Sequence, residues 1–286
     1  MKVCTLCGSR FNHSDWRCPE CDHNPSVKDG FTVFSQETAW ATEGFEETFF
    51  AQLFDLEADN FWFCERSQLI IWALRKYFSK SQNFLEIGCG TGFVLSCIEQ
   101  SIPTLSLTAS DVFINGLHFA SQRVKNATLF QMDARSIPFV AEFDVIGAFD
   151  VIEHIKADQD VLKQMYQAVK DGGGIILTVP QHPWLWSQAD EHGHHVRRYT
   201  ANELRKKVEQ AGFKVIKTTS FVTFLLPVMF LSRLRMRTAE YDVATELKLN
   251  RHLNLFLKII LSIERMFIRA GLTFPVGGSL LLVAQK

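Results

Sequence analysis

The segment Phe84-Leu85-Glu86-Ile87-Gly88-Cys89-Gly90-Thr91-Gly92 constrains this chain more than any other. The apolar residues before Gly88 read as a buried strand, and residues 93–99 read as a helix, so three glycines crowd the turn between them. Glycine lets a chain bend through left-handed conformations and lets a ligand approach the main chain. In an open parallel sheet the ligand crevice lies at the carboxyl ends of the strands, where this turn falls. The spacing departs from a dinucleotide fingerprint, because Phe93 stands where the last glycine belongs. No Gly-Lys-Ser/Thr run makes it a phosphate loop. Glu86, just ahead of the turn, would repel a pyrophosphate and attract an ammonium or a sulfonium. The ligand read from this end is cationic.

The rest of the middle of the chain alternates. Strands are expected at 84–87, 105–109, 128–131, 143–149, 175–179, 213–218 and 280–284. Helices are expected at 93–99, 117–123, 158–170 and 202–210. Asp171-Gly172-Gly173-Gly174 reads as the stop signal of the third of these. Such alternation implies an α/β fold, a mostly parallel sheet with helices on both faces. Two more acids stand at strand ends. Asp111 lies 23 residues after Gly88 and can accept hydrogen bonds from both hydroxyls of a ribose. Asp133 follows the third strand, where it can accept from an adenine amino group. One such acid is an ordinary loop residue; three at successive strand ends form a set.

These residues together resemble the class I S-adenosylmethionine-dependent methyltransferases. The run 84–92 resembles their first motif, with Glu86, Gly88, Cys89, Gly90 and Gly92 in the cofactor turn. Asp111, with Val112 beside it, matches the acid after their second strand, and Met132-Asp133-Ala134 resembles their adenine-binding segment. Phe149-Asp150-Val151-Ile152-Glu153-His154 resembles the segment after the fourth strand in members that act on small molecules and lipids. The resemblance covers roughly residues 60–220 and the final strand. It implies a Rossmann-like seven-stranded sheet whose last strand, 280–284, enters antiparallel beside 213–218. It also implies S-adenosylmethionine as cofactor and a small-molecule or lipid-linked acceptor. Phe61-Trp62-Phe63-x-x-Arg66 is similar to segments that lie over the cofactor, which would set Arg66 against the methionyl carboxylate. The alternative is an aromatic helix packed on the sheet. Loops after the fifth strand, 178–186 and 190–200, cover the acceptor in related enzymes. They and the 149–154 segment supply His154, His182, His194 and His195 as candidate bases. Each of the four also suits simple packing; His192, His194 and His195 together offer a metal set, but no carboxylate-rich group clearly completes it.

Cys4-x-x-Cys7 and Cys18-x-x-Cys21 form two knuckles of the kind that supply four thiolates to one ion. A segment so short cannot build its own core, so metal must supply much of its folding energy. We read residues 1–34 as a ribbon holding structural Zn2+ and residues 45–286 as the methyltransferase domain. A ribbon joined to a methyltransferase also resembles an rRNA guanine methyltransferase, which makes RNA base methylation the second functional reading. A formal net charge of -1, the absence of a basic stripe and the absence of an Asn-Pro-Pro-Tyr type segment weigh against it. A third reading keeps the cofactor site as a non-catalytic scaffold.

Residues 221–275 form an apolar helical insertion before the last strand. Pro227 interrupts its first stretch, Arg233, Arg235 and Arg237 follow, and Asn254, Lys258, Ser262, Arg265 and Arg269 mark one narrow polar stripe. Such a helix must bury most of its circumference, against its own core, a second copy of the chain, or a bilayer surface. The N-terminal residues do not read as a leader, and no stretch approaches the roughly 20 apolar residues of a membrane span. Scattered cysteines suit a reducing compartment. The expected location is the cytoplasm, with peripheral contact at the inner face of a membrane as an option for the insertion.

Overall fold

The structure, a computed structural model, describes residues 1–35, 47–235 and 248–286. Two short antiparallel strands, β1 (Lys2–Val3) and β2 (Arg10–Phe11), open the chain, and a hairpin of β3 (Ser26–Lys28) and β4 (Phe31–Val33) follows. Helices α1 (Glu47–Leu56) and α2 (Phe61–Tyr77) lead into the alternating part. This runs β5 (Asn83–Ile87), α3 (Phe93–Ser101), β6 (Ser106–Asp111), α4 (Ile114–Arg123), β7 (Ala127–Gln131) and β8 (Phe143–Phe149). It continues with α5 (Asp158–Ala168), β9 (Val169–Pro180), α6 (Gln188–His192), α7 (Ala201–Gln210) and β10 (Lys214–Phe221). Helices α8 (Leu226–Arg235) and α9 (Arg251–Arg269) precede the final strand, β11 (Ser279–Gln285).

One large sheet carries the strands in the order β10-β11-β9-β8-β5-β6-β7-β4-β3. The seven expected strands are the first seven in that row, with β11 antiparallel to both β10 and β9. The sheet has nine strands, not seven, because the hairpin 26–33 adds to its edge. Strand β4 pairs parallel with β7, setting Thr32 opposite Phe130 and Val33 opposite Gln131. Trp16 helps fasten the N-terminal segment there, its ring 4.3 Å from Phe34, 5.8 Å from Phe130 and 5.4 Å from Phe139.

The central strands are apolar on both faces, as a covered parallel sheet requires. In β5, Phe84 faces the layer of α2, α3 and α4, and Leu85 faces the layer of α5 and α7. The chain runs outward from β5 through β6 and β7, then returns to β8 on the other side of β5. The topological switch point therefore lies between the carboxyl ends of β5 and β8, and ligand crevices open at such points.

Two expectations need correction. The helix expected at 158–170 ends at Ala168, and Asp171-Gly172-Gly173-Gly174 lies within β9. Those glycines allow close strand contact: a Cβ on Gly174 would stand 2.2 Å from the Ala284 carbonyl oxygen, and one on Gly173 would stand 2.4 Å from that of Asp144. The helix of the insertion, expected to bury most of its circumference, buries only one narrow face. Asn254 accepts from the Phe61 N–H at 2.9 Å and donates to the Asp59 carbonyl at 2.7 Å, while Arg265 donates to Glu65 at 2.8 Å. Helix α9 thus lays polar residues, with Leu261 and Ile268, against α2 and its own domain. Its apolar Leu255, Phe256 and Met266 are 55%, 59% and 63% exposed. Residues 236–247 of the insertion, including Arg237, and the expected domain start at 45 lie outside the described residues. Among the described residues no helix is long and apolar enough to cross a membrane.

Candidate active site

The turn after β5 is built from backbone that only glycine adopts without strain. Gly88, Gly90 and Gly92 have φ of 67°, 51° and 74°. A Cβ on Gly88 would stand 2.5 Å from a methyl of Val151, and one on Gly92 would stand 2.9 Å from the Cα of Ala120. The carboxylate of Asp111, at the end of β6, holds this turn from the side. Its Oδ2 accepts from the Gly90 N–H at 2.8 Å and its Oδ1 from the Phe113 N–H at 2.9 Å. Burial pushes Asp111 up to about 6, against the pull of those N–H groups. The Cys89 thiol is buried and pushed well up by desolvation, so it is no nucleophile. Helix α1 covers the turn through Phe50, which is buried and would lie 4.0 Å from a Cβ on Gly90.

Beneath the turn, Glu86 is 2% exposed and its Oε2 has no hydrogen-bond partner. Burial pushes its carboxyl up to about 8, with the Arg66 guanidinium pulling the other way. Arg66 comes from α2, a helix capped by the Asn60 side chain, which accepts from the Trp62 N–H. Its guanidinium lies 4.4 Å from the Trp62 ring centroid and pairs with Asp150, while its Nε, also buried, has no partner. An orphaned carboxylate oxygen near the end of β5 and an orphaned N–H donor supplied by α2 are the complement of an α-amino-acid zwitterion.

Further along, Met132 and Ala134 are buried on either side of Asp133. Burial raises the Asp133 carboxyl, but the Arg135 side chain and N–H more than offset it and hold it below the usual range. The carbonyl of Val112 accepts from the Gln131 amide at 3.0 Å.

The four histidines part company. His154, in a 3-10 turn over Ile152–His154, and His195 bring their ring centroids to 4.7 Å. His195 Nδ1 lies 2.8 Å from the fully buried Asp190, which also accepts from Arg198 Nε at 2.7 Å. Burial and the neighbouring His195 pull His154 down to about 3, so its ring is neutral. His182 stacks on Trp184 with centroids 5.1 Å apart, and His194 is exposed. Two residues that sequence reasoning did not select join this cluster. Glu153 is fully buried, and Asp190 orients His195. The spacing of Asp190 and His195 carried no signal, because a loop and not a helical period brings them together.

At the N-terminus, Cys4, Cys7, Cys18 and Cys21 place their sulfurs within 4.8 Å of one another. Cys4 and Cys21 are 3.6 Å apart, as are Cys7 and Cys18.

Among known proteins, the malonyl-[acyl-carrier protein] O-methyltransferase of Haemophilus ducreyi is 30% identical to this chain over 104 residues, 34% of this chain and 40% of that one. The chloroplastic 2-methyl-6-phytyl-1,4-hydroquinone methyltransferase 2 of Oryza sativa subsp. japonica is 27% identical over 112 residues, 38% of this chain and 32% of that one. The chain spans less than two thirds of the length of these curated relatives. Phosphoethanolamine N-methyltransferase 2 of Haemonchus contortus, solved with S-adenosyl-L-methionine, shares the fold, with a TM-score of 0.59 at 17% identity over 88% of this chain and 60% of that one. Residues 63–218 match the family described as a methyltransferase domain. That match runs from α2 through most of β10 and takes in more than half of the chain, which belongs to the methyltransferase-domain family.

Proposed function

We propose that this chain transfers a methyl group from S-adenosylmethionine to a small-molecule or lipid-linked acceptor. The observation that carries the reading is the pair of unpartnered polar atoms, Glu86 Oε2 and Arg66 Nε, beside a glycine turn at the switch point. Glu86 takes the ammonium of the methionyl group and Arg66 its carboxylate. Gly88, Cys89, Gly90 and Gly92 give the main-chain cradle. Asp111, with Val112, receives the ribose, and Met132, Asp133 and Ala134 border the adenine. Asp150 holds Arg66 in place. The cofactor supplies a methyl group already activated on a sulfonium, so the protein's task is alignment and exclusion of water. A hydroxyl acceptor also needs its proton removed. His195, oriented by Asp190 beside the neutral His154, is placed for that, ahead of His182 and His194.

The acceptor class draws support from the exposed apolar side of α9, which suits a greasy substrate or a peripheral contact with a bilayer or a second copy. The relatives that act on a carrier-linked malonyl group and on a phytyl hydroquinone point the same way. For the N-terminus we infer a structural zinc ion on Cys4, Cys7, Cys18 and Cys21. Tetrahedral bonds of about 2.3 Å set sulfur–sulfur edges of about 3.8 Å. The Cys4–Cys21 and Cys7–Cys18 sulfur separations of 3.6 Å fit that edge.

The test is calorimetric titration with S-adenosylhomocysteine, with NAD as control. Micromolar binding of the first and none of the second is expected, and a chain that ignores S-adenosylhomocysteine would overturn the reading. Transfer of labelled methyl into lipid extracts, small-molecule pools and RNA then sorts the acceptor.

A further inference from the structure

Where the 3-10 turn after β8 meets the loop after α6, three potential ligands converge. Glu153, His154 and His195 each offer an atom, and those atoms lie within 4.8 Å of one another. Glu153 is fully buried, and neither carboxylate oxygen has a hydrogen-bond partner. A buried carboxylate left without partners is costly, and native proteins rarely keep one without a use. Two other acids nearby have partners: the half-buried Asp150 is paired with Arg66, and the fully buried Asp190 with Arg198. Glu153 is the carboxylate left over.

The surrounding residues are arranged as supports for a ligand set. Asp190 is fully buried and accepts from the Ser187 N–H, from Arg198 Nε and from His195 Nδ1. An ionised Asp190 keeps the proton of His195 on Nδ1 and leaves the Nε2 lone pair free to bind, the carboxylate–histidine arrangement that commonly backs a metal ligand. The Val196 N–H donates to the Glu153 carbonyl at 2.8 Å, fixing the His195 loop on the Glu153 turn. Asp150, three residues before Glu153, and His194, next to His195, are held at φ of 57° and 53°, conformations that non-glycine residues adopt at a cost.

We propose that Glu153, His154 and His195 form a binding site for one divalent first-row cation at the acceptor edge of the sheet. Carboxylate and imidazole together suit such ions, and three protein ligands leave positions open. Bonds of about 2.1 Å need ligand edges of about 3–3.5 Å, so an ion would draw the three groups together from their present spread. His154 would exchange one of its backbone partners, Gly193 or Asp150, for the ion. The cluster follows the carboxyl end of β8, the side on which the methyl-transfer reading puts the acceptor. There the ion would take an acceptor oxygen and lower its pKa, the work otherwise given to a histidine base. That role rests on the methyl-transfer reading; the presence of the site does not.

The experiment is a Mn2+ titration of the full chain followed by electron paramagnetic resonance, with the N-terminal cysteines already loaded with zinc. One equivalent of bound Mn2+ is expected. Glu153→Gln and His195→Ala should each weaken it at least tenfold, and Asp190→Asn should weaken it by about 10–100-fold through the support it gives His195. Circular dichroism melts confirm that the variants fold; Glu153→Gln exchanges an unpartnered buried carboxyl group for an amide of the same shape and should melt no lower than the parent. Absence of bound Mn2+ at millimolar ion, or equal binding by the folded variants, would overturn the site. S-adenosylhomocysteine titration of the same samples reports separately on the cofactor reading, so each can fail alone.

Discussion

The Asp111 carboxylate accepts a 2.8 Å hydrogen bond from the backbone N–H of Gly90, tying the end of β6 to the turn after β5. One side chain therefore shapes the cofactor turn and stands at the expected ribose position. Asp111→Ala removes both functions. S-adenosylhomocysteine should bind at least tenfold more weakly, a loss of about 1.4 kcal/mol or more. Asp111→Asn keeps an acceptor for one N–H and should fall between the two. Calorimetric titration measures both; unchanged affinity in Asp111→Ala removes this residue from the site.

Gly88→Ala tests the turn itself. Its φ of 67° and the 2.5 Å approach to Val151 penalise any side chain there. Left-handed backbone costs about 1–2 kcal/mol for a residue with a Cβ, and the contact with Val151 adds to that. A lower Tm and weaker S-adenosylhomocysteine binding are expected. Adding Val151→Ala should recover the steric part of the Tm loss and leave the backbone part. Full recovery would show that the φ requirement is unimportant.

Much of this was legible from residue order alone. A strand, three glycines and a helix determine the turn, and acids at 86, 111 and 133 mark the strand ends because the sheet is parallel and each strand exits on the same side. The N-terminal hairpin was hidden, since two strands of three residues have no periodicity to read. The glycines at 172–174 read as a helix stop yet lie within a strand, for a physical reason. Glycine ends helices and also admits close strand contact, and only the neighbours of Gly173 and Gly174 distinguish the two. The stripe on α9 is visible in residue order, but its orientation depends on Asp59, Phe61 and Glu65, which are distant in sequence. The Glu153–His154–His195 cluster was likewise invisible, because its parts meet through a loop.

Glu86 gives the protein a pH dependence with a definite sign. Its carboxyl titrates at about 8 in the fold against an ordinary 4.5. The folded chain then holds a proton that the unfolded chain releases over that interval, so this contribution to stability is intact below the lower value and is lost as pH rises through the upper one. Asp111, raised from 3.8 to about 6, acts in the same direction over a narrower window. Glu86→Gln should therefore gain stability relative to the parent as pH climbs between those limits. It should also bind S-adenosylhomocysteine more weakly, because the ammonium loses its carboxylate. In the parent, binding should release a proton near neutral pH, seen as a dependence of the calorimetric heat on buffer ionisation enthalpy. A Glu86→Gln protein with parental stability at every pH would contradict the burial argument, and one with parental affinity would contradict the assignment of the ammonium.

The cysteine cluster predicts two separable parts of one fold. Cys18→Ser should release zinc and loosen the first strands, because β1 and β2 are two residues each and carry little core beyond Phe11. The main sheet should survive, since its interior strands pair with one another and with helices far from Cys18. Trp16 offers the readout. Its ring packs against Phe34, Phe130 and Phe139, at the junction of the N-terminal segment and the sheet edge. Chelation of the parent should red-shift tryptophan emission as that ring meets water, and Trp16→Phe should abolish the change. The main thermal transition should move little in either case, because the apolar residues around β5, β8 and β9 stay buried. Retention of one zinc per chain in Cys18→Ser would defeat the four-thiolate assignment. Collapse of the main transition on chelation would mean that the N-terminal segment is integral to the sheet and not an appendage to it.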